Sequence, residues 1–322
     1  MTSRRAFLTQ ASTTLAGSSL LGSTLLESTL AGSLLLGRPH DAAAAEMPPM
    51  MMRKIPSSGE PVPVIGLGTS GSFEISADSP EYAALKEVLK RFFGSGASLI
   101  DTAPTYGNAE NILGPLLAET NTRRLAFIAT KLSRVTGKDE GLAQFRGTLK
   151  SLQTDKVELL QVHNLNDWKT QIELARQLKA EGKVKYVGVT HYQESGQDAL
   201  ADVVQETKPD FLQINYSVTQ RGAEKRVLPM ARDLGVAVLA NRNFDDGALF
   251  AQVKDKELPG WAAELSITSW AQMFLKFVLS NDAVTAVIPA TGKPERESDN
   301  LRAGFGPLLT AAQKSEVIDI VG

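Results

Sequence analysis

The spacing of hydrophobic positions changes period repeatedly along the chain, and those changes mark out its elements. Short apolar runs rich in β-branched residues occur at Val64–Gly68, Ser98–Asp101, Leu125–Lys131, Val157–His163, Val184–Thr190, Phe211–Tyr216, Val236–Ala240 and Val284–Pro289. Between them the apolar residues recur at helical spacing. Leu85, Val88, Leu89 and Phe92 form such a stripe within Tyr82–Phe93, and comparable segments lie at Ile112–Leu117, Leu142–Leu152, Ile172–Lys179, Val203–Thr207, Val227–Leu234 and Ser269–Leu279. Gly235 stands where a helix C-terminus wants a residue of positive φ, and Pro209-Asp210 punctuates the entry to a strand. The strand runs are apolar throughout rather than alternating, as expected when both faces are covered. Eight strands alternating with helices predict an α/β fold, a single-domain (β/α)8 TIM barrel. The alternative is an open doubly wound sheet. It needs a glycine-rich turn leading straight into a helix, and Ile65-Gly66-Leu67-Gly68-Thr69 meets that need only in part. Ahead of the first strand, Arg53–Pro56 and Pro61–Val64 flank Ser57-Ser58-Gly59 and predict a small hairpin.

The first residues follow another pattern. Thr2-Ser3-Arg4-Arg5-Ala6-Phe7-Leu8 precedes a mildly apolar stretch from Ala11 to Gly37, which ends in the alanine run Ala42–Ala45. A positive start, an apolar middle and a small-residue end read as a secretory signal. The arginine pair with its trailing Phe-Leu resembles a twin-arginine signal, which carries folded proteins across the membrane. Residues 1–45 are therefore expected to be a cleavable signal peptide and 46–322 the barrel domain. The translocase would be a transient partner and the mature protein periplasmic. The alternative is a retained membrane anchor, against which Glu27 and the many Gly, Ser and Thr residues weigh.

Composition narrows the chemistry. The 322 residues include 34 Lys+Arg, 36 Asp+Glu, three His and no Cys, for a formal charge of −2. Without Cys there is no disulfide, no thiolate nucleophile and no Cys-ligated metal. With so few His, no metal site is expected. Near-neutral charge gives no support for nucleic-acid binding.

Active sites of this fold lie at the C-terminal ends of the strands. There the chain places Asp101, then Tyr106 in the loop Thr102–Glu110, then Lys131, then His163. Asp101 would hold Lys131 charged. A cation beside a phenol favours the phenolate, so the pKa of Tyr106 is expected to fall. Tyr106 can then give a proton to a developing alkoxide while His163 orients the carbonyl, with hydride supplied by a bound cofactor. A Schiff-base role for Lys131 is the competing use, and a neighbouring Asp101 opposes it.

These residues and the run Asp101-Thr102-Ala103 … Tyr106-Gly107 … Ala109-Glu110 resemble the aldo-keto reductase family from about Arg53 to about Ala303. The resemblance implies an NAD(P)H-dependent reductase of aldehydes or ketones, with Asp101, Tyr106, Lys131 and His163 as its catalytic set. A small carbonyl substrate and a monomer are the corresponding expectations. A redox-sensing cofactor-binding protein on the same fold is the alternative. The resemblance further implies that Thr190, His191 and Gln213 hold the nicotinamide carboxamide, with His191 in place of the usual Asn. Asn241 stands where an aromatic stacker is usual, leaving Arg242 or Phe244 to cover the ring. Thr69, Thr291, Arg296, Asp299 and Asn300 complete the cofactor set. Arg296 would read a 2′-phosphate, and Ala290 replaces a Lys that many members use, so one basic partner is expected there. NADP(H) is favoured over NAD(H) on this basis. Trp168 and Trp261 are candidates to line the substrate pocket.

Overall fold

The computed structural model describes residues 49–322; the expected export signal at 1–45 lies outside the described residues. The chain enters with a hairpin, β1 (Met52–Lys54) paired antiparallel to β2 (Pro61–Pro63). Eight parallel strands follow, namely β3 (Leu67–Gly68), β4 (Leu99–Asp101), β5 (Phe127–Leu132), β6 (Val157–His163), β7 (Val184–His191), β8 (Phe211–Asn215), β9 (Ala237–Asn241) and β10 (Ala286–Val287). They pair strictly in chain order. The seam between first and last is closed by parallel bridges Ile65–Val287 and Gly68–Ala290. Across it, the Gly66 and Gly68 amides donate to Val287 O and Pro289 O at 2.8 and 2.9 Å. This closure excludes the open doubly wound sheet. A Cβ on Gly68 would lie 2.9 Å from Ile288 O, so the seam strands approach closely only because that side chain is missing. The two seam strands are shorter than their apolar runs suggested. Pro289 has no N–H to extend the ladder.

The helices between the strands are α1 (Glu81–Gly94), α2 (Ala109–Glu119), α3 (Gly137–Ser151), α4 (Trp168–Ala180), α5 (Gln197–Thr207), α6 (Val227–Leu234), α7 (Ala248–Gln252) and α8 (Trp270–Leu279). After β10 come α9 (Pro294–Arg302) and α10 (Ala311–Val321). α10 lies beyond the stretch in which the sequence showed a family pattern. It starts with a capping box at Thr310 and Gln313 and buries Val317 and Val321.

Two cores result, and the strand period explains them. One side of each strand feeds the large layer between sheet and helices. The other feeds the barrel interior, where Leu99, Phe127, Ala129, Leu159, Tyr186, Phe211, Ala237, Leu239, Ala286 and Ile288 pack together. Ile55 and Val62 join this interior cluster, so the hairpin plugs the N-terminal end of the barrel. Moving two residues on from these positions toward the C-terminal ends reaches Asp101 from Leu99, Lys131 from Ala129, Gln161 and then His163 from Leu159, and Gln213 from Phe211. The catalytic face is the polar top layer of the same inward-pointing rows.

One buried group breaks the pattern. Glu297 on α9 is fully buried, and neither carboxylate oxygen has a hydrogen-bond partner among the described residues. Desolvation pushes its pKa up to about 8, against 4.5 for a free Glu, so at neutral pH it is a neutral acid. Between those two values the folded chain binds a proton that the unfolded chain does not, so stability falls as pH rises through the window. Glu297→Leu should therefore raise the melting temperature relative to wild type. The difference should widen from pH 5 to pH 8 and level off above that. Thermal melts of both proteins across this range check it; a difference independent of pH would show that Glu297 is ionised when folded.

Candidate active site

Lys131 is almost wholly buried at the end of β5, and its ammonium has a complete set of acceptors. Nζ donates to both carboxylate oxygens of Asp101 at 2.8 Å and to the carbonyl of Thr102 at 2.9 Å. Burial works to lower the lysine pKa, but Asp101 and Tyr106 more than offset it, and the ammonium is held above its ordinary value. Burial pushes the Asp101 carboxyl up while Lys131 pulls it down. With three donors matched to three acceptors, the pair is ionised at neutral pH. A permanently protonated Lys131 is unsuited to Schiff-base chemistry.

Tyr106 lies over this pair, with Lys131 Nζ 4.8 Å from its ring centroid. The phenol departs from the expected electrostatics. Burial is the largest influence and raises its pKa; Lys131 lowers it, Asp101 raises it again, and the net shift is upward. The expected fall does not occur, because burial of the phenol outweighs the pull of Lys131, which Asp101 partly cancels. Tyr106 is thus a protonated donor at rest. The ring of His163 meets that of Tyr106 edge-on at 6.0 Å between centroids. Burial, with Lys131, Arg134 and His191 adding to it, drives the pKa of His163 down to about 3, so the imidazole is neutral. Its Nδ1 lies 2.7 Å from Ser133 Oγ. If the Ser133 hydroxyl donates to Nδ1, the neutral ring carries its proton on Nε2, the tautomer that can donate to a substrate oxygen.

Glu110, the last residue of the Asp101–Glu110 run, is a brace. Its buried carboxylate accepts from Thr130 Oγ1 at 2.7 Å and Thr148 Oγ1 at 3.0 Å, which ties α2 to β5 and α3 directly beside Lys131.

The cleft above these residues has a volume of about 1380 Å³. It is larger than the roughly 300–1,000 Å³ of ordinary small-molecule pockets. It extends from Tyr106 and His163 past Thr190, Gln213, Asn241, Arg242 and Phe244 to Thr291, Arg296, Asp299 and Asn300. Thr190 and Gln213 are register partners on β7 and β8 and both point inward. His191 is the exception. Being one residue on from an inward position, it faces the other way; its ring lies over Gly196, where a Cβ would come within 2.2 Å of it. Its Nδ1 accepts from the Gln193 amide, and it is not among the residues lining the cleft. Tyr192 lines the cleft instead, with the Arg242 guanidinium 5.1 Å above its ring. Thr69 is buried behind the lining, its Oγ1 without a partner among the described residues.

Next to Asn241, where an aromatic stacker is usual, Arg242 has φ 53 and is ion-paired with Asp246. Phe244 lines the cleft with its ring 5.0 Å from that of Phe250. At the far end Lys293, the N-cap of α9, lines the cleft together with Arg296. Two basic side chains therefore stand where the sequence suggested one. Lys293 was legible only as a loop residue until α9 was placed. The Asp299 carboxylate accepts from Ser269 Oγ and Gln272 Nε2, both at 2.6 Å, which joins α9 to the start of α8. Neither Trp168 nor Trp261 reaches the cleft; Trp261 donates to Glu316, and Trp270 is the indole that lines it.

A nicotinamide dinucleotide fits this lining. Asn241 Oδ1 is a buried acceptor with no partner among the described residues, suited to a carboxamide NH2. The N-terminus of α9, with Pro294 in its first turn, presents amides beside two cations, suited to phosphate.

Comparison with known proteins agrees with the fold. The model of the aldo/keto reductase family matches residues 64–320, which include all of α10 but its last residue. An uncharacterized oxidoreductase of Bacillus subtilis is 30% identical over 198 residues, covering 53% of this chain, and the chain spans 60% of that relative's length. The NADH-specific methylglyoxal reductase of Escherichia coli is 24% identical over 263 residues, covering 70% of this chain and 78% of its own. An aldo-keto reductase structure from Bacillus halodurans superposes with a TM-score of 0.67 at 21% identity, covering 84% of this chain and 96% of that one, and shows the same fold. The family match, the closed barrel and the four residues gathered at its C-terminal face agree: the chain belongs to the aldo/keto reductase family.

Proposed function

We propose that the protein is an NAD(P)H-dependent oxidoreductase that reduces an aldehyde or ketone to an alcohol. The observation that carries this reading is the Lys131–Asp101 pair beneath a protonated Tyr106, with neutral His163 alongside. The cofactor, when bound, supplies hydride to the carbonyl carbon. The rest of the work falls to the chain. His163 Nε2 donates a hydrogen bond to the carbonyl oxygen and holds it beside the phenol. Tyr106 transfers its proton to that oxygen as negative charge builds there. The phenolate left behind is the state that Lys131 stabilises, and Asp101 keeps that ammonium in place and charged. Lys131 therefore acts on the charge formed during reaction rather than by lowering the resting pKa of Tyr106.

NADP(H) is favoured over NAD(H) by Lys293 and Arg296 at the entrance of α9. The E. coli relative is named as NADH-specific, so this preference belongs to the present chain's own lining. The Arg4-Arg5 pattern supports a signal peptide and a periplasmic mature protein; cell fractionation with and without an Arg4→Lys, Arg5→Lys change tests that.

Tyr106→Phe should lower kcat for a small aldehyde by about 10²–10⁴-fold and leave the NADPH Kd, read by fluorescence titration, nearly unchanged. Wild-type turnover in this variant would remove Tyr106 as donor. The kcat/KM profile for reduction should show no break between pH 5 and 8 from His163, whose proton is lost near pH 3, nor from Tyr106, whose pKa lies above its ordinary 10. An inflection near pH 6.5 that disappears in His163→Gln would contradict the neutral-imidazole assignment. Arg296→Ala and Lys293→Ala should each weaken NADPH about tenfold more than NADH. Equal losses would show that these cations do not read the 2′-phosphate.

A further inference from the structure

Three cations that line the cleft, Arg134, Lys293 and Arg296, make no salt bridge among the described residues, and of these Arg134 is the one that stands beside His163. Lys131 is matched by Asp101 and Arg242 by Asp246, but Arg134 makes no salt bridge. It follows β5 closely and has φ 55, a left-handed conformation uncommon for a non-glycine residue. It borders both the main cleft and a second recess of about 400 Å³ beside His163. That recess is lined by Thr105, Arg134, His163, Asn164 and Asn166, with no acidic side chain among them. Asn164 also has positive φ, at 53, a conformation that Asn adopts more readily than most residues. The charge of Arg134 is felt at the site, since it contributes to holding His163 neutral. The nearby carboxylates are otherwise engaged. Asp101 holds Lys131, and Glu74, next to Gly107, accepts from the Gly71 amide.

We propose that the carbonyl substrate carries a carboxylate, which Arg134 binds in this recess while the carbonyl oxygen sits between Tyr106 and His163. This rests on the reductase reading above and names its substrate class: short oxo acids and aldehyde acids. A guanidinium fork matches a carboxylate in a planar, two-bond geometry. The amides of Asn164 and Asn166 add neutral donors, and the modest recess suits a chain of a few carbons. The neutral imidazole adds no competing charge, so the carboxylate is drawn to Arg134 and the polarised carbonyl to the phenol.

The test compares 4-oxobutanoate with pentanal, which has nearly the same shape and no charge. In the wild-type holoenzyme kcat/KM should favour the oxo acid by about tenfold or more. Arg134→Gln should cut that selectivity by about tenfold, through KM rather than kcat, and Arg134→Lys should keep most of it. The preference should also weaken as NaCl is raised, because Arg134 is exposed at the rim. A wild-type selectivity near one, or a selectivity unaltered in Arg134→Gln, overturns the proposal while leaving pentanal reduction as evidence for a reductase. If neither carbonyl is reduced, the reductase reading fails, and calorimetry of 4-oxobutanoate with the NADP⁺-loaded protein decides the role of Arg134 separately. A tenfold weaker Kd in Arg134→Gln supports the site, and equal values overturn it.

Discussion

The buried pair between Lys131 and Asp101 is the constraint around which the catalytic face is organised. A lone ammonium at that depth would lose its proton or draw in water, and a lone carboxylate would take up a proton. Together, with the Thr102 carbonyl as a third acceptor, they form a charge that is fixed in place yet nearly neutral overall. β4 and β5 must be adjacent and in register for this, and the pairing of Asp101 with Ala129 sets Lys131 one inward position further along. Glu110 then braces β5 from the helix layer through Thr130, so the lysine cannot shift without disturbing a second buried network.

That near-neutrality controls the chemistry of the neighbours. Because burial, with Asp101 adding to it, outweighs the pull of Lys131, Tyr106 keeps its proton, and because the site is desolvated, His163 stays uncharged. The resting site thus holds a protonated phenol and a neutral imidazole beside one another, and on the proposed reading the stabilising effect of the cation grows as a phenolate forms. Electrostatic preorganisation of this kind favours the transition state over the ground state. The unmatched positive charges sit away from the pair, at Arg134 on one side and at Lys293 and Arg296 on the other. On the proposed reading, the centre of the cleft takes the neutral carbonyl and its positively charged flanks take anionic groups.

Much of this could be read in the order of residues. Apolar runs separated by helical stripes announce the barrel, since strands covered on both faces have no polar side to show. Asp101, Lys131 and His163 could be placed because each ends such a run, and barrel strands present their ends to one face. The seam strands, α10 and the role of Glu110 were less visible, because each depends on partners distant in the chain. His191 and Tyr192 show the limit most sharply. They are neighbours in sequence and their rings stack at 6.1 Å, yet only Tyr192 lines the cleft, and the fold of the chain at the end of β7 decides which one meets it.

The sequence by itself determined the fold class, the family and the four candidate site positions, because these follow from local periodicity and from residue types at strand ends. Only the tertiary structure decided the protonation of Tyr106 and His163, the second cation at α9, the buried acid Glu297 and the unpaired Arg134. The protonation states are balances between desolvation and charges brought together by folding, and the placement of the two cations depends on which loops and helix ends meet at the cleft; both are properties of the assembled barrel rather than of any segment in it.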